Sequence, residues 1–326
     1  MRRRQFITLL GGAAVWPATV RAQQSAMPLV GFLDNGRPNP VLVATFCDGL
    51  AKAGYVEGQN VAVEYRWANT QERQLPELAA DLIGRQAKVI VASGSAVTAY
   101  VVKRATSTIP IVLAGGIDPV TFGLVASLNR PGGNITGVTF ISIELSGKRF
   151  GLLCEVVPQT STVAYLSGGS RIWTFEDESS NIQAAAATLG RQVVVLEARD
   201  RSEIEPAFET LVQRGAGALI VGGAPHLFYD SEKILAQATL RKIPAIYPHR
   251  GWVGRGGLMS YGANALVLLR QVGSDYVGRI LKGAKPADLP VQRPIKFELV
   301  FNLKTATSIG LEISPALLAR ADTVIE

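Results

Sequence analysis

Two successive runs of strand and helix signals, in step with one another, constrain this chain more than any single motif does. In the first, short apolar runs at 29–33, 61–65, 88–92 and 109–113 alternate with helical spacing over 40–52, 75–85 and 96–106. In the second, runs at 162–166, 192–196, 218–221 and 243–247 alternate with helical spacing over 176–189, 203–214 and 231–241. Val30 precedes the Ile109-Pro110 pair by 79 residues, and Val163 precedes Ile243-Pro244 by 80. The third strands lie 59 and 56 residues after the first. Strands separated by helices pair in parallel through crossovers, so each run predicts a parallel sheet with helices on both faces. The expected fold class is α/β, as two similar lobes in tandem. The length of 326 residues agrees, at ~150 residues per domain.

The stretch 109–140 joins the two runs. Gly115-Gly116 ends the fourth strand and is expected to face the cleft between lobes. Asp118-Pro119 reads as a helix N-cap with Pro at the first helical position, and Phe122, Val125, Ala126 and Leu128 give that helix an apolar face. The segment 130–134 (Arg-Pro-Gly-Gly-Asn) stops it, and 135–140 then leaves one lobe for the other. After the second run, 257–262 (Gly-Leu-Met-Ser-Tyr-Gly) reads as a return crossover, 266–281 as a long helix, 297–303 as a last strand and 304–326 as a helical tail. The lobes are expected to comprise 27–138 plus 263–295, and 139–262 plus 296–326.

The first 22 residues read as an export signal. Arg2, Arg3 and Arg4 form a basic start, residues 6–20 are apolar, and Val20-Arg21-Ala22 fits a cleavage site. The apolar run is broken by Gly11-Gly12 and Pro17 and falls short of the ~20 residues a membrane helix needs. The segment 3–7 (Arg-Arg-Gln-Phe-Ile) also fits a twin-arginine signal. The mature chain then starts at Gln23 and works in the periplasm. Removing Arg2, Arg3, Arg4 and Arg21 from the formal charge of +7 leaves +3, with no basic stripe for nucleic acid. Cys47 and Cys154, in different lobes and without metal-ligand spacing, read as small helix residues rather than a disulfide.

In open parallel sheets, ligands sit outside the carboxyl ends of the strands. Those ends are rich in small and hydroxylated residues here: Asp34, Asn35 and Gly36; Ser93, Gly94 and Ser95, with Thr98 one turn on; Gly115 and Gly116; Ser167, Gly168, Gly169 and Ser170; and Gly222, Gly223 and Pro225. Ser93, Ser95 and Thr98 at a helix start suit a carboxylate or phosphate cradle, although Ser95 and Thr98 equally suit a cap. Asp118, followed by Pro119, suits either a ligand ammonium or a cap. Tyr247, Trp252 and Tyr261 are candidates for an apolar wall, and Arg37, Arg171 and Arg250 for an acidic ligand. Catalytic patterns are missing: His226 and His249 have no Cys partner, and there is no G-x-S-x-G, H-E-x-x-H or Walker A sequence. The Gly-rich 251–257 opens no clear helix, so no dinucleotide, metal or other cofactor is implied.

Five segments carry a resemblance to a known family. They are 6–14 (FITLLGGAA), 53–68 (AGYVEGQNVAVEYRWA), 118–138 (DPVTFGLVASLNRPGGNITGV), 257–262 and 286–306 (PADLPVQRPIKFELVFNLKTA). Together they resemble the ABC-transporter substrate-binding proteins related to tryptophan-binding members, nearly end to end. The resemblance implies a type I periplasmic-binding fold: two Rossmann-like lobes joined by three crossovers and closing on a small molecule, without catalysis. It maps the pocket loops onto 34–36, 93–98, 116–119, 167–170, 223–225 and Tyr247. One departure stands out. Relatives often read Asn-Pro-x-Asn-Pro where residues 167–171 read Ser-Gly-Gly-Ser-Arg, so the ligand's identity does not carry over. The expected role is a monomeric solute receptor delivering an amino acid or aromatic acid to an inner-membrane ABC permease. A periplasmic sensor subunit, and a hydrolase or transferase in the cleft, are the alternatives.

Overall fold

A computed structural model describes residues 27–116, 118–140, 145–169 and 176–326. The export segment 1–22 and residues Ser170 and Arg171 lie outside the described residues. The first sheet holds β1 (Leu29–Asp34), β2 (Ala62–Trp67), β3 (Val89–Ser93), β4 (Ile111–Gly115) and β5 (Ile135–Thr139). Its order is β2-β1-β3-β4-β5, with every pairing parallel. Helices α1 (Pro40–Lys52), α2 (Leu75–Gly84) and α3 (Ala96–Ala105) cover it. Strands buried on both faces divide their side chains by parity. Val30 and Phe32 of β1 pack with Phe46 and Leu50 of α1, while Leu33 packs with Leu75 and Leu82 of α2.

The second sheet holds β6 (Thr162–Ser167), β7 (Gln192–Glu197), β8 (Ala218–Val221), β9 (Ala245–Tyr247), β10 (Met259–Ala263), β11 (Phe297–Asn302) and β12 (Thr323–Ile325). Their order is β12-β11-β10-β9-β8-β6-β7. Helices α4 (Ser146–Val156) and α5 (Glu176–Thr188) pack on one face, and α6 (Ile204–Gln213) and α8 (Ser231–Leu240) on the other. Two short helices, α7 (Pro225–Tyr229) and α9 (Arg250–Val253), follow β8 and β9. After β10 the chain returns to the first lobe as α10 (Ala265–Gln271), a π-helical stretch Val272–Val277, and α11 (Gly278–Leu281). It crosses back as β11 and ends in α12 (Leu303–Ser308), α13 (Pro315–Leu318) and β12. No helix among the described residues is long and apolar enough to cross a membrane.

Three sequence expectations need correction. Residues 118–130 form turns instead of a helix. Asp118 accepts the Val120 N–H at 3.0 Å and the Thr121 hydroxyl at 3.2 Å, but Gly123 at φ +61° breaks the run after one turn. Leu124 and Val125 are buried all the same, as loop residues of the first core. The tail is not wholly helical: Gly310 at φ +74° and Pro315 interrupt it, and β12 adds a parallel strand to β11. The second sheet is not wholly parallel, because β11 arrives from the other lobe and pairs antiparallel to β10. Cys47 and Cys154 are both free; Cys154 is buried, whereas Cys47 is half-buried against Glu57 and Tyr65.

The returning helix seats on α1 through glycines. A Cβ on Gly273 would lie 2.7 Å from both the Leu50 nitrogen and the Phe46 oxygen, and one on Gly49 would lie 2.2 Å from the Arg270 oxygen. These are backbone atoms that cannot step aside. Gly273→Ala is therefore expected to destabilise by about 1–3 kcal/mol through overpacking. Gly151→Ala, in α4 with open space around it, is expected to stabilise by about 0.5–1 kcal/mol through helix propensity. Thermal unfolding of the two variants checks the contrast.

Candidate functional site

The carboxyl ends of β1, β3 and β4 face those of β8 and β9 across a cavity of about 200 Å³. From the first lobe it is lined by Asp34, Ser93, Gly94, Ala114 and Gly116, with Leu42 of α1 and Phe140 just past β5. From the second come residues 222–225, then Phe228 and Tyr229 of α7, then Pro248, His249 and Trp252 around α9. Gly262 and Ala263 of the second crossover also line it.

Asp34 is the carboxyl group at this wall, and the residue is only 1% exposed. It accepts the Gly36 N–H at 2.6 Å and a hydrogen bond from the Ser93 side chain. Burial pushes its carboxyl above the ordinary carboxylate value, with those two hydrogen bonds pulling the other way. No cation pairs with it among the described residues. Gly94, at φ +86°, brings the next strand's loop close: a Cβ there would lie 3.0 Å from Asp34 Oδ1. Burial also holds the Tyr229 phenol protonated, and the nearby Asp34 charge adds to the effect.

The opposite wall is aromatic. Trp252 stacks on Tyr247 at 4.8 Å and meets Phe228 edge-on at 5.6 Å. His249 meets Phe228 edge-on at 4.6 Å. Burial lowers the His249 pKa to about 4, and the Arg149 and Arg255 charges add to this, so the ring is neutral at neutral pH. The Arg255 guanidinium caps the Phe228 face at 4.1 Å and donates to the Ser231 hydroxyl at 2.7 Å. Behind the glycine loop after β8 lies Glu178, 4% exposed. It accepts from Arg149 at 2.8 Å, the Tyr165 hydroxyl at 2.9 Å and the Gly223 N–H at 3.3 Å.

Of the residues singled out in the sequence, Asp34, Ser93, Gly94, Gly116, Gly222, Gly223, Pro225 and Trp252 line the cavity. Asn35 is buried beside it, its N–H donating to the Ser93 carbonyl at 3.4 Å, and Gly36 abuts Tyr229. Ser95 caps α3 by accepting the Thr98 N–H at 3.4 Å, and Thr98 is fully buried. Asp118 and Pro119 belong to the turn after β4, where Asp118 pairs with Arg293 at 3.7 Å. Ser167 accepts the Gly169 N–H at 3.2 Å, and Gly168 packs against Ala224 and His226. Tyr247 sits behind Trp252, buried. Tyr261 belongs to the second core, under Lys148 at 4.6 Å. Arg37 pairs with Asp230, and Arg250 with Glu298. Sequence reasoning did not place Phe228, Tyr229 or His249 at the site. The signal was the proline and aromatic content of the loops after β8 and β9. Among the described residues no group of three His, Cys, Asp or Glu is placed to hold a metal.

A family model described as ABC transporter substrate binding protein matches residues 41–325. A Clostridioides difficile protein described as a tyrosine-binding protein is 26% identical over 271 residues, spanning 82% of this chain and 76% of the relative. Among solved structures, a conserved domain protein of Vibrio cholerae is 26% identical with a TM-score of 0.81. An ABC domain from Streptococcus pneumonia, solved in complex with L-Trp, is 24% identical with a TM-score of 0.79. Each alignment covers 91% of this chain and 99% of the other.

The Asp34 environment generates a pH signature. Its folded pKa is raised, so its contribution to stability is fully present below the unfolded value of 3.8 and is lost as pH rises through the folded value. Asp34→Asn keeps an acceptor for Gly36 and removes the buried charge. The variant is expected to melt several degrees above the parent at pH 7–8, and the gain is expected to vanish as pH falls below about 4. Melting curves across that range check it; a pH-independent difference would contradict it.

Proposed function

The chain belongs to the ABC transporter substrate binding protein family, and from that premise we propose that it is the solute receptor of an ABC importer for an amino acid with an apolar or aromatic side chain. The observation that carries this reading is the cavity between the lobes, where a buried, unpaired carboxylate faces an aromatic wall. At about 200 Å³ the cavity is below the ~300–1,000 Å³ of sites for drug-sized ligands, which suits a single amino acid. Asp34 is the natural partner for a ligand ammonium, since Asp118 is already engaged by Arg293. The backbone at Gly94 and Gly116 leaves room for a ligand carboxylate to approach N–H groups. Phe140, Phe228 and Trp252 then receive the side chain. The similarity to a tyrosine-binding protein supports an aromatic ligand.

In this reading the ligand touches both lobes and so favours the closed arrangement over the open one, and no covalent chemistry is required. The basic start, apolar run and Val20-Arg21-Ala22 site fit export through the twin-arginine route with cleavage after Ala22. The receptor then works as a periplasmic monomer that hands its solute to the permease. The site residues proposed are Asp34, Ser93, Gly94, Gly116, Gly223 and Pro225, joined by Phe228, His249 and Trp252.

Thermal unfolding of the chain from Gln23 against a panel of amino acids, aromatic acids, sugars and nucleosides tests this. A ligand at 100 times its Kd adds about 2.7 kcal/mol of stability. Tyrosine, tryptophan or phenylalanine is expected to raise Tm, and Asp34→Asn is expected to abolish the rise. A panel in which only sugars or nucleosides shift Tm, or a hit indifferent to Asp34→Asn, would overturn the assignment.

A further inference from the structure

Gly36 is a glycine for a reason that lies outside its own lobe. Its φ is not in the left-handed region, so its backbone does not require a missing side chain. Its N–H donates to Asp34, and its carbonyl accepts the Asn69 N–H at 2.9 Å, bonds that any residue can make. The three atoms nearest to a Cβ built there all belong to Tyr229 of the second lobe: the hydroxyl oxygen at 1.9 Å, Cζ at 2.1 Å and Cε2 at 2.2 Å. The neighbouring residues on both sides also meet. Arg37 reaches the Asp230 carboxylate at 3.5 Å and donates to the Tyr229 carbonyl at 3.4 Å. The Asp230 side chain is 5% exposed and is held from its own lobe by Arg201 at 3.2 Å.

We propose that Gly36 and Arg37 of the first lobe, with Tyr229 and Asp230 of the second, form a closure latch that sets how firmly the two lobes hold a solute. The two halves act differently. Gly36 admits the Tyr229 ring, which lines the cavity, so the wall can be completed only while residue 36 has no side chain. Arg37 supplies attraction, as the second cation on a nearly buried carboxylate. Both contacts join residues of different lobes, so they favour the closed arrangement whatever the solute. The latch is also coupled to the cavity through one short turn. The Gly36 N–H that sits beside the Tyr229 contact is the same group that steadies the Asp34 carboxylate.

Small-angle scattering of the solute-free chain tests this without reference to any ligand. The parent is expected to be more compact than Gly36→Ala, with Arg37→Ala between them and the parent expanding in high salt. In a Tyr229→Ser background, Gly36→Ala is expected to cause no further expansion, because the clash partner is gone. Where L-tyrosine or L-tryptophan binds, Arg37→Ala is expected to speed dissociation roughly three- to tenfold, given its half-exposed side chain. Gly36→Ala is expected to speed it at least as much. Equal expansion by Gly36→Ala in both backgrounds, or no expansion in either, overturns the latch. Absence of binding by either amino acid overturns the solute assignment and leaves the scattering result to decide the latch.

Discussion

A carboxylate taken out of water must be paired, neutralised or kept for a ligand. Among the described residues, Asp34, Glu178 and Asp230 are buried around the cleft, and only the last two are paired with cations. Glu178 is paired: it holds Arg149, Tyr165 and the Gly223 N–H, so its charge fixes the loop that forms one wall. Asp34 receives only the neutral donors of Gly36 and Ser93, and burial pushes its pKa up. Neutral donors stabilise a carboxylate less than a cation does. The asymmetry separates a carboxylate paired with a cation inside the protein from one that receives neutral donors alone.

The lobes that carry these charges are held by stitched crossovers. Gln292, on the way to β11, donates to the Gly137 carbonyl and accepts from Thr139, which binds the third crossover to the end of β5. Antiparallel pairing of β10 with β11 joins the second crossover to the third. Asn264 caps α10 and also donates to Glu298 of β11 at 3.1 Å. The three segments are thus bonded to one another where the chain passes between the lobes. The glycine contacts of the returning helix with α1 then fix that helix to the first lobe.

The central strands were legible because they are buried on both faces, which leaves continuous apolar runs bounded by glycine and proline. The two-lobed α/β architecture followed from their spacing. The turn at 118–130 was misread because its apolar residues fall at helical intervals, while the positive φ of Gly123 leaves no mark beyond the glycine itself. The strand β12 was hidden because three residues carry no period. The cleft divided along similar lines. Asp34, Ser93 and Gly94 stand at strand ends, where topology alone points to a ligand. Phe228 and Tyr229 stand on a helix of five residues, too short for a hydrophobic period. Asp118 looked similar to Asp34 in sequence, and both accept the N–H two residues on; the Arg293 ion pair and a place outside the cavity lining set Asp118 apart.

Which loops meet across a cleft depends on the angle between lobes, and that angle is set by the few contacts that span it. Gly36 shows the consequence. Read along the chain, it is one more glycine in a turn, and its φ gives no reason for it. Only the Tyr229 ring, nearly 200 positions further on, gives one. A residue whose constraint comes from the other lobe matters in the closed arrangement and is neutral in the open one. Solute affinity in such a protein is therefore the intrinsic affinity of the cavity multiplied by the closed population that contacts outside it permit. Selection on binding strength can act at Arg37, whose ion pair with Asp230 lies outside the cavity lining, as readily as at Asp34.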